Sequence, residues 1–152
     1  MCKLVEQLRR KYFIGYKVVA RFPKGKRYYS VAMGFRYPKD GKIPVITKQR
    51  RLSCYFDNNI LDRSDFNPNF SEGMIGRTAV FDNASGAFSL LCNLTSYLTK
   101  YTKCSTKMVF VIVKAKISGS LMRGTYGSQI YVVAGRKIEF LEEIKQEESW
   151  KN

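Results

Sequence analysis

The chain has 152 residues, 45% of them hydrophobic, and 27 Lys and Arg against 12 Asp and Glu give it a net charge of +15. It contains no histidine, which excludes Ser-His-Asp and Cys-His nucleophiles, histidine general acid–base catalysis and most catalytic zinc sites. Its four cysteines form no C-x-x-C pair, so neither a zinc knuckle nor a thioredoxin motif is present.

The length suits one domain with one hydrophobic core. No stretch of about 18 to 20 apolar residues occurs, which is what a membrane-spanning helix needs. The first residues also lack the charged-then-apolar layout of a secretory signal. We therefore expect a cytoplasmic protein without a membrane partner.

The positive charge is concentrated in the first part of the chain. Residues 1–56 hold 15 basic and 2 acidic residues, a net charge of +13, whereas residues 57–152 hold 12 and 10, a net charge of +2. This asymmetry predicts a directed positive surface for an anionic partner such as a nucleotide or a nucleic acid. A solvated basic face without a partner is the alternative.

The first half of the chain predicts a short helix followed by strands. Leu4, Val5 and Leu8 recur on one side of residues 1–13, which indicates an amphipathic N-terminal helix. A Pro/Gly turn at residues 23–26 separates two β-rich runs and predicts a basic hairpin. The strands predicted in this half cover residues 16–22, 27–33, 43–46 and 52–56, and a long loop covers residues 57–73.

The second half predicts one main helix between strands. Residues 84–101 carry an apolar stripe at three- and four-residue spacing, and Asp82 or Asn83 offers the N-terminal cap. The predicted strands cover residues 74–81, 107–117, 130–134 and 138–144, with turns at residues 118–127 and a frayed tail at residues 145–152. We expect the helix to cover one face of the strand predicted at residues 107–117, the face that carries Val109, Val111, Val113, Ala115 and Ile117. The prediction is an α+β fold, a single domain over residues 1–152 with a mainly antiparallel sheet packed against one main helix.

Basic and aromatic residues adjoin at Arg10-Lys11-Tyr12-Phe13, Arg27-Tyr28-Tyr29 and Arg36-Tyr37. Cations hold phosphates and aromatic rings stack on bases, so this pairing is typical of nucleotide and nucleic-acid binding. The alternative is that tyrosines favour strands and Lys and Arg solvate the exposed face. The predicted anion- or nucleotide-binding residues are Arg21, Lys24, Lys26, Arg27, Tyr28, Arg36, Lys48, Arg50, Arg51, Arg123 and Tyr126.

Two further patterns indicate weaker sites. Gly119, Gly124 and Gly127 could form a backbone anion nest with Arg123 and Tyr126, but their order does not match a phosphate-binding loop and a hairpin turn also explains them. The loop acids Asp57, Asp62 and Asp65 could ligate a cation, but the twelve-residue calcium pattern is missing and loop solvation is favoured. We predict no catalytic residue, no metal and no cofactor.

A resemblance adds to these patterns. The order of residues 78–83 (TAVFDN), Ala87-Phe88, residues 109–119, residues 132–134 (VVA) and residues 138–141 (IEFL) resembles small phage and prophage accessory proteins, and residues 15–19 followed by 28–30 fit the same layout. That group includes proteins similar to Thoeris anti-defence sponges, which capture cyclic ADP-ribose-type signals without cleaving them. The resemblance covers residues 15–144 and implies a viral protein of the host cytoplasm.

These observations favour a small, basic, non-enzymatic binding protein, a phage counter-defence protein that captures an anionic nucleotide signal or nucleic acid. One alternative is a protein–protein inhibitor that covers a site on a host defence complex, of the CRISPR type or similar. Another is a metal-dependent nucleotide-processing enzyme that uses Asp57, Asp62 and Asp65. The sequence does not determine the oligomeric state, and the resemblance to sponge-like proteins, which commonly build sites across subunit contacts, allows a homo-oligomer.

Overall fold

The computed structural model describes residues 2–31, 35–45, 76–101, 109–126 and 130–144, with only the backbone described for residues 2–5, 93–101 and 126. Within these ranges the chain forms a mostly antiparallel sheet and one helix, in agreement with the predicted α+β class. The strands are β1 (Cys2–Gln7), β2 (Tyr12–Arg21), β3 (Tyr29–Ser30), β4 (Thr78–Phe81), β5 (Val109–Ser118), β6 (Met122–Tyr126), β7 (Ile130–Gly135) and β8 (Lys137–Ile144), and the helix is α1 (Ala84–Tyr101).

The sheet has the order β1-β6-β7-β4-β2-β5-β8, and β3 pairs with β2 outside this path. The longest ladder joins β2 to β5 along ten residue pairs, from Tyr12 opposite Ser118 to Arg21 opposite Val109. On its other edge β2 meets β4 at Gly15 and Tyr16. A side chain at Gly15 would overlap the Phe81 carbonyl, so glycine permits this close approach of the two strands.

The two faces of the sheet are covered by different parts of the chain. On one face Ala87 and Leu91 of α1 pack against a buried cluster that includes Val18 and Ile112. On the other face residues 35–43 cover a second cluster, to which they contribute Phe35, Tyr37 and Ile43. Both faces are therefore buried, which removes apolar area from water on each side of the strands.

This arrangement corrects the prediction that α1 covers the valine face of β5. The helix packs over the face of Ile112, whereas Val113, Ala115 and Ile117 lie in the second cluster under residues 35–43. Both faces of β5 are apolar along much of the strand, so alternation in the sequence did not determine which face the helix would occupy.

The predicted helix in residues 1–13 is wrong. Residues 2–7 form β1, which pairs with β6 from Cys2 opposite Tyr126 to Gln7 opposite Met122, with a register shift between Leu4 and Glu6. A short helix gains little on its own in water, whereas the edge of β6 offers backbone hydrogen-bond partners to an extended segment. Strand β6 itself lies where the sequence predicted only turns.

The main helix is confirmed at residues 84–101, and its cap is Asn83, whose Oδ1 accepts a hydrogen bond from the Gly86 N–H at 3.1 Å. Of the predicted strand at residues 27–33, residues 29–30 form β3 and residues 32–33 lie outside the described residues, while residues 43–45 form no strand. The predicted strand at residues 52–56, the loop at residues 57–73 and the tail at residues 145–152 lie outside the described residues. In the described part of the chain, no helix has both the length and the apolar character required to cross a membrane.

Candidate functional site

A cleft lies beside the outer edge of β8, on the face of the sheet that α1 does not cover. Its volume is about 660 Å³, within the range of roughly 300–1,000 Å³ that is usual for small-molecule sites. We call it the β8 cleft. Its lining residues are Lys26, Arg27, Tyr28, Tyr37, Pro38, Lys39, Asp40, Lys137, Ile138, Glu139 and Phe140.

Backbone hydrogen bonds hold two segments of the N-terminal half against each other above β8. The Tyr37 N–H donates to the Tyr28 carbonyl at 3.0 Å, and the Ser30 N–H donates to the Phe35 carbonyl at 2.8 Å. Residues 26–28 and 37–40 therefore form one wall of the cleft, with Tyr29 and Arg36 in an isolated bridge beside it. The opposite wall is β8 itself.

A tight turn ends this wall and ties it to β8. The Gly41 N–H donates to the Pro38 carbonyl at 3.1 Å, and Gly41 has a φ of 76°, a conformation that favours glycine. The Asp40 carboxylate accepts a hydrogen bond from the Lys42 N–H at 3.0 Å and so supports the turn. Beyond it, Lys42 forms a bridge to Lys137.

Four aromatic side chains, which we call the aromatic cluster, form the apolar part of the cleft and its support. The Phe140 ring lies 4.7 Å from the Tyr28 ring and 5.1 Å from the Tyr37 ring, and Phe35 lies 4.9 Å from Tyr37, all between ring centroids. Tyr37 is 3% exposed, and its hydroxyl lies 3.3 Å from Thr78 Oγ1. The cluster is thus a packed platform that links β8 to both segments of the opposite wall.

The charged residues of the lining are predominantly basic. Lys26, Arg27, Lys39 and Lys137 face two acids, Asp40 and Glu139. One of these acids, Asp40, is occupied by the turn that it supports. Four cations converging on a concave site raise the local positive potential and attract an anion.

Glu143 lies beside the cleft and connects β8 to the end of β2 and to Tyr28. Arg21 Nε contacts one Glu143 oxygen at 2.5 Å and an Arg21 terminal nitrogen contacts the other at 3.2 Å, while the Tyr28 hydroxyl donates to Glu143 at 3.1 Å. The hydrogen bond to Glu143 raises the pKa of Arg21. Burial, followed by the nearby Glu143 charge, raises the pKa of Tyr28 to about 12, so its phenol is a neutral donor near neutral pH.

The structure brings three of the predicted binding residues into the β8 cleft, namely Lys26, Arg27 and Tyr28. Arg21 is engaged with Glu143 and with the carbonyls of Phe22 and Pro23 rather than lining the cleft. Lys24 and Arg36 are exposed and do not line the cleft. The predicted residues Lys48, Arg50 and Arg51 lie outside the described residues.

The remaining predicted residues belong to another part of the sheet. Arg123 on β6 stacks over Tyr131 on β7, with its guanidinium carbon 5.1 Å from the ring centroid. Tyr126 is the last residue of β6, and its backbone pairs with Ile130. In the order of the sheet, four strands separate β6 from β8, so these residues do not contribute to the cleft.

Sequence reasoning missed Lys39, Lys137, Tyr37 and Phe140 as site residues. Lys39 follows Pro38 in a turn that ends in glycine, as Lys24 follows Pro23, and this repeated pattern was a usable signal. Lys137 and Phe140 lie three residues apart on a strand and carry no shared local pattern, and only the pairing of β8 with residues 41–43 brings this part of the strand to Lys39. Across the described ranges, no group of three or more Cys, Asp or Glu side chains is placed to hold a metal ion.

Comparisons of the chain with protein-family models, with curated proteins and with solved structures find no match.

Proposed function

We propose that this chain is a non-enzymatic binding protein that captures an anionic nucleotide in the β8 cleft. The observation that carries the proposal is that four cations line the same cleft as three rings of the aromatic cluster; the cations are Lys26, Arg27, Lys39 and Lys137, and the rings are those of Tyr28, Tyr37 and Phe140. Cations compensate phosphate charge, and aromatic surface accepts a planar base. A nucleotide is the class of small molecule that carries both features.

The concave shape favours a nucleotide over a long nucleic acid. A cleft of about 660 Å³ has the volume of a small-molecule site, whereas a nucleic acid is usually held along an extended groove of cations. Only a few phosphates would be neutralised in the cleft. We therefore expect a shallower fall of log affinity with log salt than for a protein that follows a nucleic-acid backbone.

The polar groups of the lining support capture rather than conversion. The pKa of Tyr28 at about 12 keeps its phenol protonated near neutral pH, so it is a hydrogen-bond donor and not a base. The Asp40 carboxylate already accepts the Lys42 N–H. In the counter-defence role that the resemblance to phage accessory proteins implies, such capture would withdraw a nucleotide signal without cleaving it.

The test begins with the salt-washed, nuclease-treated protein. Mass spectrometry of the material released by heating identifies a co-purified nucleotide, and calorimetric titration with AMP, ADP, ADP-ribose, GDP and UDP measures binding directly. We expect at least one nucleotide to bind and to be recovered unchanged after prolonged incubation with magnesium. Failure of every nucleotide to bind, with nothing released on heating, overturns the proposal, and conversion of the bound nucleotide overturns its non-enzymatic part.

A matched pair of variants locates the site. Lys39 and Lys24 are both exposed lysines that follow a proline in a turn, but only Lys39 lines the cleft. Lys39→Glu should lower the affinity for the nucleotide about tenfold or more, a change of about 1.4 kcal/mol, whereas Lys24→Glu should change it less than about twofold. Both substitutions alter the net charge equally, so equal losses would indicate a general charge effect and place the site elsewhere.

A further inference from the structure

The outer edge of β8 is partly occupied by the turn that follows Pro38, and the occupied part ends inside the β8 cleft. The Ile43 N–H donates to the Arg136 carbonyl at 2.8 Å, and the Ile138 N–H donates to the Gly41 carbonyl at 2.9 Å. Residues 41–43 thus act as a short neighbouring strand for residues 136–138. At Gly41 the chain turns away toward Pro38, and its contact with the edge stops.

The next residue that presents its main chain on this side of β8 is Phe140. In an antiparallel strand, the N–H and C=O groups of successive residues point alternately to the two sides of the strand. Because the Ile138 N–H points outward to Gly41, the N–H and C=O of Phe140 point outward as well. The register shift of the β5–β8 ladder lies between Lys114 and Ala115, after the pair Ala115–Phe140, so the alternation is intact up to Phe140.

Four consecutive residues of β8, Lys137 to Phe140, line the cleft, so it follows the edge of the strand to which the main chain of Phe140 points. Phe140 lines the cleft, and among the described residues no backbone bond from a neighbouring segment reaches the edge of β8 beyond Ile138. Strand edges with unpaired N–H and C=O groups are templates for further pairing. Four basic side chains line the same space, namely those of Lys26, Arg27, Lys39 and Lys137.

The part of the open edge with regular strand alternation is short. Residues 41–43 close it on one side, and on the other side the register of the strand shifts directly after Phe140. An added peptide strand needs several consecutive pairs to bind, whereas a nucleobase needs one adjacent donor and acceptor. The length of the gap therefore favours a base over a peptide.

We propose that the main-chain N–H and C=O of Phe140 bind the hydrogen-bonding edge of a nucleobase while the surrounding lysines and Arg27 hold the phosphates. This inference rests on the proposed function and makes it more specific. On this inference, the edge of β8 next to the rings of Tyr28 and Phe140 is what distinguishes a nucleotide from a sugar phosphate without a base. The ligand class is a nucleotide whose base carries an adjacent donor and acceptor.

The first experiment compares AMP, GMP, CMP and UMP with ribose 5-phosphate by calorimetric titration. Ribose 5-phosphate carries the same phosphate without a base, so it tests the contribution of the base alone. We expect at least one mononucleotide to bind about tenfold or more tightly than ribose 5-phosphate, since one paired donor and acceptor and one stacked ring face each contribute about 1 kcal/mol or more. Equal binding of ribose 5-phosphate and all four mononucleotides overturns this inference and reduces the proposed function to capture of a phosphate by the cations of the cleft, whereas no binding of any of them counts against the proposed function as a whole.

The second experiment observes the edge itself. The protein is labelled with ¹⁵N-phenylalanine and ¹⁵N-isoleucine. The amide signal that disappears in Phe140→Tyr belongs to Phe140, and the one that disappears in Ile138→Val belongs to Ile138. The Ile138 amide is the internal control because it lies on the same edge and is bonded to Gly41. In the free protein we expect the Phe140 amide to exchange with solvent about tenfold or more faster than the Ile138 amide.

Addition of the tightest-binding mononucleotide should slow exchange at Phe140 and shift its amide signal, and ribose 5-phosphate should leave both unchanged. Slow exchange of the Phe140 amide in the free protein would contradict the open edge. Protection of that amide by an acidic peptide such as (Glu-Val)₃, and by no mononucleotide, would replace the base with a peptide and overturn the inference.

Discussion

One face of the sheet is covered by a regular helix and the other by irregular chain, and the β8 cleft lies only on the second face. Helix α1 satisfies its own backbone hydrogen bonds, so it covers Val18 and Ile112 with side chains alone. Residues 35–43 have no such internal ladder and bond to the edge of β8 through Gly41 and Ile43. Residues 35–43 are thus bonded to the edge of β8 at residues 136–138 and leave the main chain of Phe140 without a partner from this segment.

The two covers also differ in the residues that they bring to the sheet. The described side chains of α1 in the core cluster are Ala87 and Leu91, with Phe88 and Leu90 at its margin. The segment on the opposite face combines buried aromatics with exposed Lys39. A binding cleft needs both an apolar floor and polar groups at its rim. The irregular face supplies both, which is why we place function there and stability alone on the helical face.

The strongest test of this comparison removes one large buried side chain from each face. Tyr37→Ala deletes a ring that contacts Phe35 and Phe140 and should lower the free energy of unfolding by about 3–5 kcal/mol, and Leu91→Ala, on the helical face, by about 2–5 kcal/mol. We expect only Tyr37→Ala to weaken nucleotide binding by the folded protein. Urea unfolding and calorimetric titration below the unfolding midpoint measure the two effects separately.

Tyr37→Phe is the control for this pair, because it keeps the ring and loses only the hydroxyl contact with Thr78, at a cost of about 1 kcal/mol. Its nucleotide affinity should match that of the unsubstituted protein. If Leu91→Ala lost affinity as strongly as Tyr37→Ala, the two faces would not be functionally separate.

The sequence predicted the helical face better than the irregular one. The boundaries of α1 follow from a local signal, since Asn83 provides the cap and the apolar stripe follows at once. The β8 cleft depends on contacts between residues about a hundred positions apart, such as Lys42 with Lys137. No local pattern encodes such a contact, so Lys137 was not predicted, whereas Lys26, Arg27 and Tyr28 were predicted as binding residues from the basic and aromatic residue types of their segment.

The N-terminal strand shows the same limit from the opposite direction. Leu4, Val5 and Leu8 have helical spacing, but residues 2–7 pair with β6, a strand that the sequence did not predict. Pairing with the unpaired backbone groups of β6 therefore determined the structure of this segment, and the helical spacing of its apolar residues did not. The open main chain of Phe140 is the same kind of feature, because it is created by where a neighbouring segment turns away and not by the identity of the residue.

A smaller effect on the free energy of unfolding is expected when the contact between Tyr28 and Glu143 is removed. At about pH 7, Tyr28→Phe should lower the free energy of unfolding by about 1 kcal/mol through loss of one hydrogen bond. The pKa of Tyr28 is raised from 10.0 to about 12, so the folded state holds the phenolic proton more tightly than the unfolded chain does. The stabilisation is therefore complete below pH 10 and is lost as the pH rises from about 10 through about 12.

Urea midpoints of the unsubstituted protein and of Tyr28→Phe, measured across this pH range, should converge and then cross as the phenol ionises, because only the unsubstituted protein then carries a partly buried phenolate. Tyr12→Phe, at an exposed tyrosine of β2, controls for the removal of one phenol. A difference that stayed constant through about pH 12 would show that Glu143 and burial do not hold the Tyr28 proton.

The smallest effect is expected at Arg123, far from β8 in the order of the sheet. Arg123→Ala removes an exposed stacking contact with Tyr131, worth about 0.5–1 kcal/mol of folding free energy, and should change nucleotide affinity less than about twofold. Lys39→Ala removes the same single charge from the rim of the cleft and is the matched comparison in calorimetric titration. If Arg123→Ala weakened binding as much as Lys39→Ala, the phosphates would be held by the surface of β6 and β7 that carries Arg123 and Tyr131. The irregular face would then no longer be the site of capture, because Arg123, which the sequence also predicted as a binding residue, would have the function that we assign to the β8 cleft.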